Sequence, residues 1–193
     1  DFPLNWEESA MPARPAIFLA FWWMILVSAS ISQAAVATAE HGMVATVHPL
    51  ASEAGVAAMK AGGNAVDAAV AAALTLGVVD GHNSGIGGGC FILIRTADGR
   101  IAAIDGRETA PARATHDMYV RHGKADTDLS QTGALASATP GAVAAYELAV
   151  EKYGKRKLAD LILPAAEIAE KGFPLDGEYA ARLKATSEML AKF

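Results

Sequence analysis

The sequence predicts a mixed α/β fold in which helices are segregated around a sheet. An apolar segment from Phe91 to Ile104 is interrupted by Asp98-Gly99, a pair that suits a hairpin turn, so it predicts two antiparallel strands. The segment from Ala65 to Leu76 is almost entirely Ala, Val and Leu, which predicts a helix buried on nearly every side. Two more helical patterns follow the hairpin, at Ala142–Tyr153 and Lys157–Lys171.

Composition excludes several classes of function. The chain has 193 residues, a net charge of -5 and a single cysteine, Cys90. This charge provides no basic face, so no nucleic-acid partner is expected. One cysteine excludes an internal disulfide and a cysteine-rich metal site, and the five histidines lack metal-ligand spacing. The sequence therefore predicts no metal and no cofactor.

Before the hairpin, the sequence predicts a strand and two helices. Met43–Val47 is a short apolar strand candidate, and Pro49 opens a helix that ends near Ala61 at Gly62-Gly63. Asn64 is a capping residue for the Ala-rich helix, and Asp67 is its acidic partner in the first turn. We expect the Ala-rich helix and the hairpin strands to expose apolar faces that the rest of a longer protein covers.

Beyond the hairpin, Thr115–Tyr119 predicts a short helical turn and Arg121–Ser130 a polar, irregular segment. The pattern at Tyr179–Phe193 has no cap or stop signal, so the chain is expected to be truncated within a helix. The helix at Lys157–Lys171 ends at Gly172 and is expected to be amphipathic. Its predicted apolar side consists of Leu158, Leu161, Ile162, Ala165, Ala166, Ile168 and Ala169.

The N-terminal region differs from the rest in composition. Residues 1–10 resemble nothing that follows and are interpreted as an extraneous or upstream segment. Residues 11–39 predict a secretory signal peptide, because a charged start precedes an apolar run shorter than the roughly 20 residues of a membrane span. Small-residue cleavage sites end at Ala34, Ala37 and Ala39. A buried helix or an uncleaved anchor is the alternative, but we expect no stable membrane span and a periplasmic or secreted protein.

The candidate site combines a glycine run, residues 83–90, with the segment Asp105–Pro111 at the end of the hairpin. A guanidinium at Arg107 suits a small carboxylate, and glycines let backbone amides approach what the arginine holds. The alternative is a structural ion pair of Arg107 with Asp105 or Glu108. The run is not a dinucleotide loop, because it precedes a strand and lacks the third glycine of G-x-G-x-x-G.

Five segments in order resemble the γ-glutamyltranspeptidases, also called glutathione hydrolases. The likeness covers about residues 40–193, which we expect to be part of the large subunit. The matching segments are His41-Gly42-Met43-Val44-Ala45, Ala61-Gly62-Gly63-Asn64-Ala65-Val66-Asp67-Ala68-Ala69-Val70-Ala71, Gly85-Ile86-Gly87-Gly88-Gly89-Cys90-Phe91, Asp105-Gly106-Arg107-Glu108-Thr109-Ala110-Pro111 and Ala138-Thr139-Pro140-Gly141.

The resemblance implies an N-terminal nucleophile hydrolase with an α/β/β/α sandwich, of which only the N-terminal portion is present. It implies a precursor that cuts itself, freeing a threonine whose own amine serves as base when it attacks a γ-glutamyl amide. That threonine is expected beyond Phe193, so no catalytic residue is expected in this chain and the chain alone is expected to be inactive. The small subunit from the same precursor and glutathione or other γ-glutamyl compounds are the implied partners.

Within this resemblance, Arg107 matches the arginine that binds the substrate α-carboxylate. Family members often have glycine at the position of Cys90, and an aromatic residue or alanine at that of Gly106. We expect a flexible Gly106 to loosen the placement of Arg107. Two alternatives remain: a sister-branch acylase acting on cephalosporin side chains or poly-γ-glutamate, and a non-catalytic carboxylate-binding protein of the same fold.

Overall fold

The computed structural model describes residues 36–192. Most of the predicted leader, residues 11–35, and Phe193 therefore lie outside the described residues, as do residues 1–10. The described elements, in chain order, are α1 (Pro49–Lys60), α2 (Ala65–Val79), β1 (Cys90–Arg95), β2 (Ile101–Gly106), β3 (Val120–Arg121), β4 (Lys124–Ala125), α3 (Thr127–Gln131), a 3-10 turn (Ala134–Ala136), α4 (Ala142–Tyr153), α5 (Leu158–Lys171) and α6 (Gly177–Leu190).

Helix α2 forms the centre of the core. It contacts α1, α4 and α5, and its apolar residues are buried on several sides, as its composition predicts. Small alanine side chains allow these neighbouring helices to come close. The buried members of α2 are Asp67, Ala68, Val70, Ala71, Ala72, Leu74, Thr75 and Val79.

The start of α2 is fixed by a capping box. The Asn64 side-chain oxygen accepts hydrogen bonds from the backbone N–H groups of Val66 (2.9 Å) and Asp67 (3.2 Å). The Asp67 carboxylate returns the interaction, accepting the Asn64 N–H at 2.7 Å. Three otherwise unpaired backbone donors and the two capping side chains thus satisfy one another, as the sequence predicts.

The Asp67 carboxylate also binds a distant segment. It is fully buried and accepts backbone hydrogen bonds from Lys155 (2.9 Å) and Arg156 (3.1 Å), which connect α4 to α5. The Asn64 amide donates to the Tyr153 carbonyl at 2.6 Å in the same place. Because a buried carboxylate needs several donors, these backbone groups hold the α4–α5 connection against the start of α2.

Strands β1 and β2 form the predicted antiparallel hairpin. Their register runs from Cys90 opposite Gly106 to Arg95 opposite Ile101, and Gly99 supplies the positive φ of the turn, at +85°. One face, which carries the buried side chains of Ile94 and Ile104, joins the core with α2 and α4. The alternation of a strand therefore places the other side chains on the opposite face.

The opposite face of the hairpin is exposed and apolar. Phe91, Leu93 and Ile101 are each about two-thirds or more exposed, which confirms the expectation of an uncovered apolar face on the strands. The same expectation holds for one side of the Ala-rich helix α2, where Ala65 and Ala69 are exposed and Val66 and Ala73 are half-buried. Helices α1, α4 and α5 cover its other sides within this chain.

Residues Met43–Val47 do not form a strand, so that prediction is wrong. A strand needs a hydrogen-bonded partner, and among residues 36–192 the paired strands are β1 with β2 and β3 with β4. The Thr46 hydroxyl instead donates to the His48 carbonyl at 2.7 Å, just before α1. Local side-chain bonding of this kind competes with a β-ladder.

The polar stretch Arg121–Ser130 is more ordered than predicted. It contains the end of a short hairpin, β3–β4, whose turn residues His122 and Gly123 have positive φ values of 53° and 74°. Two consecutive positive φ values form the tight turn that matches strand twist. Helix α3 follows, begun by Asp126, whose carboxylate accepts the Leu129 N–H at 3.2 Å.

Helix α5 buries less of its predicted apolar side than expected. Only Leu161 and Ala165 of that set are buried, and Ile162 is exposed. The helix contacts α2 most and also contacts α1 and α4. Amphipathic spacing predicted that α5 exists, and Gly172, where φ is +79°, predicted its end. How much of the apolar side of α5 is buried depends on the elements that pack against it.

No helix within residues 36–192 is long and apolar enough to cross a membrane.

We predict that Asp67→Asn destabilises the protein by about 2–4 kcal/mol, because an uncharged amide cannot replace a buried carboxylate that accepts several backbone N–H groups. The measurement is urea unfolding of the complete protein. Glu167→Gln is the matched control, since Glu167 is an exposed partner of Lys171 at 3.0 Å and should change stability by about 0.5 kcal/mol or less. Equal stability of the two variants would contradict the prediction.

Candidate functional site

The glycine run leaves α2 and leads into β1. The turn after the helix is closed by backbone N–H groups of Asn83 (3.0 Å) and Ser84 (2.9 Å), which donate to the Asp80 carbonyl. Further along, the Gly88 carbonyl accepts the N–H groups of Gly141 and Ala142, both at 3.1 Å. The run is thus attached by its backbone to the first turn of α4, whose N–H groups have no partner within the helix.

Arg107 follows directly after the last residue of β2. Its own N–H donates to the Asp105 carboxylate at 2.9 Å, and its Nε lies 3.4 Å from Glu108 Oε2. The Arg107 side chain is 71% exposed and that of Glu108 is 35% exposed. The exposed side chain leaves the guanidinium accessible to a ligand. An exposed ion pair of this kind contributes about 1 kcal/mol or less, so a ligand can replace it at little cost.

A cavity of about 250 Å³ lies beside Arg107. Its wall includes Thr109, Thr139 and Gly141. Thr109 and Thr139 form an isolated antiparallel bridge, with N–H to carbonyl distances of 3.2 and 2.9 Å. This bridge brings the segment before α4 against the segment after β2, so the predicted Ala138–Gly141 and Asp105–Pro111 motifs meet at one place.

The glycine run lines a different cavity, of about 530 Å³, together with Glu108, His82 and Tyr146. The sequence predicts that the glycine amides approach whatever Arg107 holds. The structure instead places Glu108 between Arg107 and the run, with the Glu108 carboxylate against Gly89. Arg107 and the glycine run are connected through Glu108 and through the α4 N-terminus.

Cys90 lines this second cavity and is a partly buried free thiol. Burial raises the pKa of Cys90, the nearby Glu108 carboxylate raises it further, and a hydrogen bond with Tyr146 opposes the rise. Burial likewise raises the pKa of Tyr146, and Cys90 adds to the rise. A thiol held in its protonated form is a poor nucleophile, so Cys90 acts here as a small, largely apolar side chain.

His82 packs beside the run. Its Nδ1 lies 3.3 Å from Asp80 Oδ1, and its ring centroid is 4.9 Å from that of Tyr179 in α6. Within residues 36–192, no group of three or more His, Cys, Asp or Glu side chains is arranged to hold a metal ion. The charged side chains at the end of the main hairpin are the Arg107 guanidinium and the Asp105 and Glu108 carboxylates.

Sequence reasoning missed the joining of the glycine run to α4. The signal was present, because Gly141 begins a helix without a side-chain cap and must obtain its partner elsewhere. Which distant carbonyl supplies that partner cannot be inferred from local sequence.

Comparison with known proteins gives consistent matches. A sequence model of the family described as "Gamma-glutamyltranspeptidase" matches residues 51–193. The glutathione hydrolase proenzyme of Escherichia coli is 46% identical over 147 residues, 76% of this chain and 25% of that protein. The acylase ACY 1 proenzyme of Pseudomonas sp. (strain V22) is 44% identical over 144 residues, 71% of this chain and 26% of that protein.

Among solved structures, the γ-glutamyltranspeptidase of Helicobacter pylori matches with a TM-score of 0.79 and 41% identity, over 82% of this chain and 46% of that chain. The chain thus spans about a quarter of the length of the curated relatives that it matches. This structural match confirms the predicted fold class, of which the chain supplies one portion. With the family-wide match over residues 51–193, we conclude that the chain belongs to the gamma-glutamyltranspeptidase family.

Proposed function

We propose that this chain is the N-terminal portion of the large subunit of an enzyme that hydrolyses glutathione and transfers γ-glutamyl groups to water or amino acids. The observation that carries the proposal is Arg107. Its guanidinium is exposed at the end of the hairpin, beside a cavity, in a chain of this family. A planar, charged guanidinium can bind a carboxylate through two parallel hydrogen bonds.

In this proposal Arg107 binds the α-carboxylate of the γ-glutamyl donor. Its contact with Glu108 uses Nε, which leaves the terminal amino groups of the guanidinium for the substrate. The nucleophile is a threonine in the small subunit, produced from the same precursor beyond Phe193. Names of relatives that include "proenzyme" support a processed precursor.

An acylase of a sister branch is the second candidate. The acylase ACY 1 proenzyme is nearly as similar to this chain as the glutathione hydrolase proenzyme is, and a cephalosporin acylase from Bacillus halodurans matches with 28% identity and a TM-score of 0.67. A carboxylate-binding protein without activity is the third. Turnover separates the two enzymes from a protein that only binds a carboxylate, and the acyl group that is released separates the two enzymes from each other.

The location proposed for the complete protein is the periplasm or the exterior of the cell. The support is the sequence of residues 11–39 alone. It has a charged start, a short apolar run and then small residues of the kind found at signal-peptide cleavage sites. Export would bring the enzyme to extracellular γ-glutamyl compounds.

We predict that the complete protein hydrolyses a chromogenic γ-glutamyl anilide and that Arg107→Lys lowers kcat/KM about tenfold, because lysine keeps the charge but loses the two-pronged geometry. Arg107→Ala or Arg107→Gln should lower it about a hundredfold or more, since a charge-assisted contact is worth roughly 1.5–3 kcal/mol and neighbouring effects add to it. Steady-state kinetics and a gel for precursor cleavage are the measurements. Self-cleavage should survive, because it does not use the substrate carboxylate.

Arg100→Gln is the matched control for Arg107. Arg100 is an exposed arginine in the hairpin turn, paired with Asp98 at 2.7 Å, and its loss should leave donor kinetics unchanged. Near-wild-type kcat/KM in cleaved Arg107→Ala protein would reduce Arg107 to a structural ion-pair residue. Turnover of an acylated cephalosporin in place of the anilide would favour the acylase.

We predict that the complete protein, expressed in a Gram-negative host, loses its N-terminus between Gln33 and Glu40. The reason is that the exit from the apolar run carries small residues suited to signal cleavage. N-terminal sequencing of the periplasmic product is the measurement. A membrane-bound product that retains Trp22-Trp23 would instead indicate an anchor.

A further inference from the structure

Gly106 lies at a crowded point of the candidate site. It is the last residue of β2, it precedes Arg107, and it is buried opposite Cys90 in the hairpin register. A Cβ added at Gly106 would lie 2.5 Å from the Ala145 Cβ, 3.1 Å from the Cys90 carbonyl oxygen and 3.3 Å from the Cys90 sulfur. In this chain the position therefore has no room for a side chain, which is the opposite of the loosening expected from the sequence. Family members often have an aromatic residue or alanine here and often have glycine in place of Cys90, so the crowding is a property of this chain.

The absence of a side chain brings three backbone segments together. Helix α4 approaches β2 through Ala145, and a Cβ at Gly141 would lie 2.8 Å from the Gly106 carbonyl carbon and 3.0 Å from the Arg107 carbonyl oxygen. The Gly88 carbonyl accepts the Gly141 and Ala142 N–H groups at the same place. The backbone of Arg107 is thus packed directly against the first turn of α4.

We propose that Gly106 is a positioning residue for Arg107. By leaving space for Ala145, it lets the first turn of α4 lie against the end of β2, and this contact fixes the backbone from which the Arg107 side chain projects into its cavity. The proposal rests on the proposed function of Arg107 as the group that binds the donor carboxylate. It assigns no contact between Gly106 and the substrate.

The expected effect of a methyl group follows from the distances. Carbon atoms pack at about 3.5–4.0 Å, so a Cβ at Gly106 would displace Ala145 by about 1 Å from its 2.5 Å separation. A displacement of that size at a binding group can cost up to about a hundredfold in rate. Gly106→Ala should therefore raise KM for the γ-glutamyl anilide about tenfold or more and lower kcat less.

The closing experiment uses the complete protein with Gly106→Ala, Ala145→Gly and the two combined. Ala145→Gly removes the clashing Cβ, so the combined variant should regain most of the wild-type KM. Hydrogen exchange at the Gly141 and Ala142 amides is the structural readout: it should accelerate in Gly106→Ala and slow again in the combined variant. If Gly106→Ala fails to fold, Ala145→Ser replaces it in the experiment. This variant enlarges the side chain on the helix side of the same contact and should also raise KM.

A double-mutant cycle tests whether the effect passes through Arg107. On an Arg107→Gln background, Gly106→Ala should cause almost no further rise in KM, because the group being positioned is already gone. Additive losses, an unchanged KM in Gly106→Ala, or no rescue by Ala145→Gly would each overturn the proposal. Failure of the proposed function is distinguishable, because it would appear as normal donor kinetics in Arg107→Gln itself.

Discussion

The buried carboxylate of Asp67 is the interaction on which the helical core depends. It accepts the Asn64 N–H that begins α2 and the Lys155 and Arg156 N–H groups that connect α4 to α5. A buried carboxylate is tolerated only when several hydrogen-bond donors surround it. The Asp67 carboxylate therefore holds the α4–α5 connection against the start of α2. Gly154 makes room for this meeting, since a Cβ there would lie 2.6 Å from the carboxylate. One side chain thus joins two parts of the chain that are almost ninety residues apart.

Helix α4 connects the surroundings of Asp67 to the candidate site. The C-terminal end of α4 is held beside Asp67 through Tyr153, and its N-terminal end meets the Gly88 carbonyl and the end of β2. Along its length it packs on the hairpin through Ala145, Tyr146 and Ala149, which are buried. The helix therefore extends from the buried Asp67 carboxylate to the end of β2, which carries the exposed Arg107 guanidinium. Its alanines matter because each one sets how closely helix and sheet can approach.

Local sequence predicted much of this arrangement. The hairpin follows from an apolar run interrupted by Asp98-Gly99, and the α2 cap follows from Asn64 and Asp67 at the right spacing. The fold class was also confirmed. Two predictions of local structure failed. Met43–Val47 is a short apolar segment but forms no strand pairing in the described part of the chain. The short hairpin around His122-Gly123 depends on positive φ values that polar composition does not reveal. For the site, the sequence indicated Arg107, whose side chain is exposed in the structure. It also predicted direct proximity of Arg107 to the glycine run, whereas Glu108 lies between them.

The sequence by itself determined the main hairpin, the cap of α2 and the principal helices, because capping, turn formation and helical periodicity depend on residues a few positions apart. It also determined the family, through five motifs in order. Only the tertiary structure decided that Asp67 holds the α4–α5 connection, that Glu108 lies between Arg107 and the glycine run, and that Gly106 is a closely packed position instead of a flexible one. The physical reason is that van der Waals exclusion and burial act between residues distant in sequence. The need for glycine at a position is recognised only when the surrounding atoms, which leave no space for a side chain, are known.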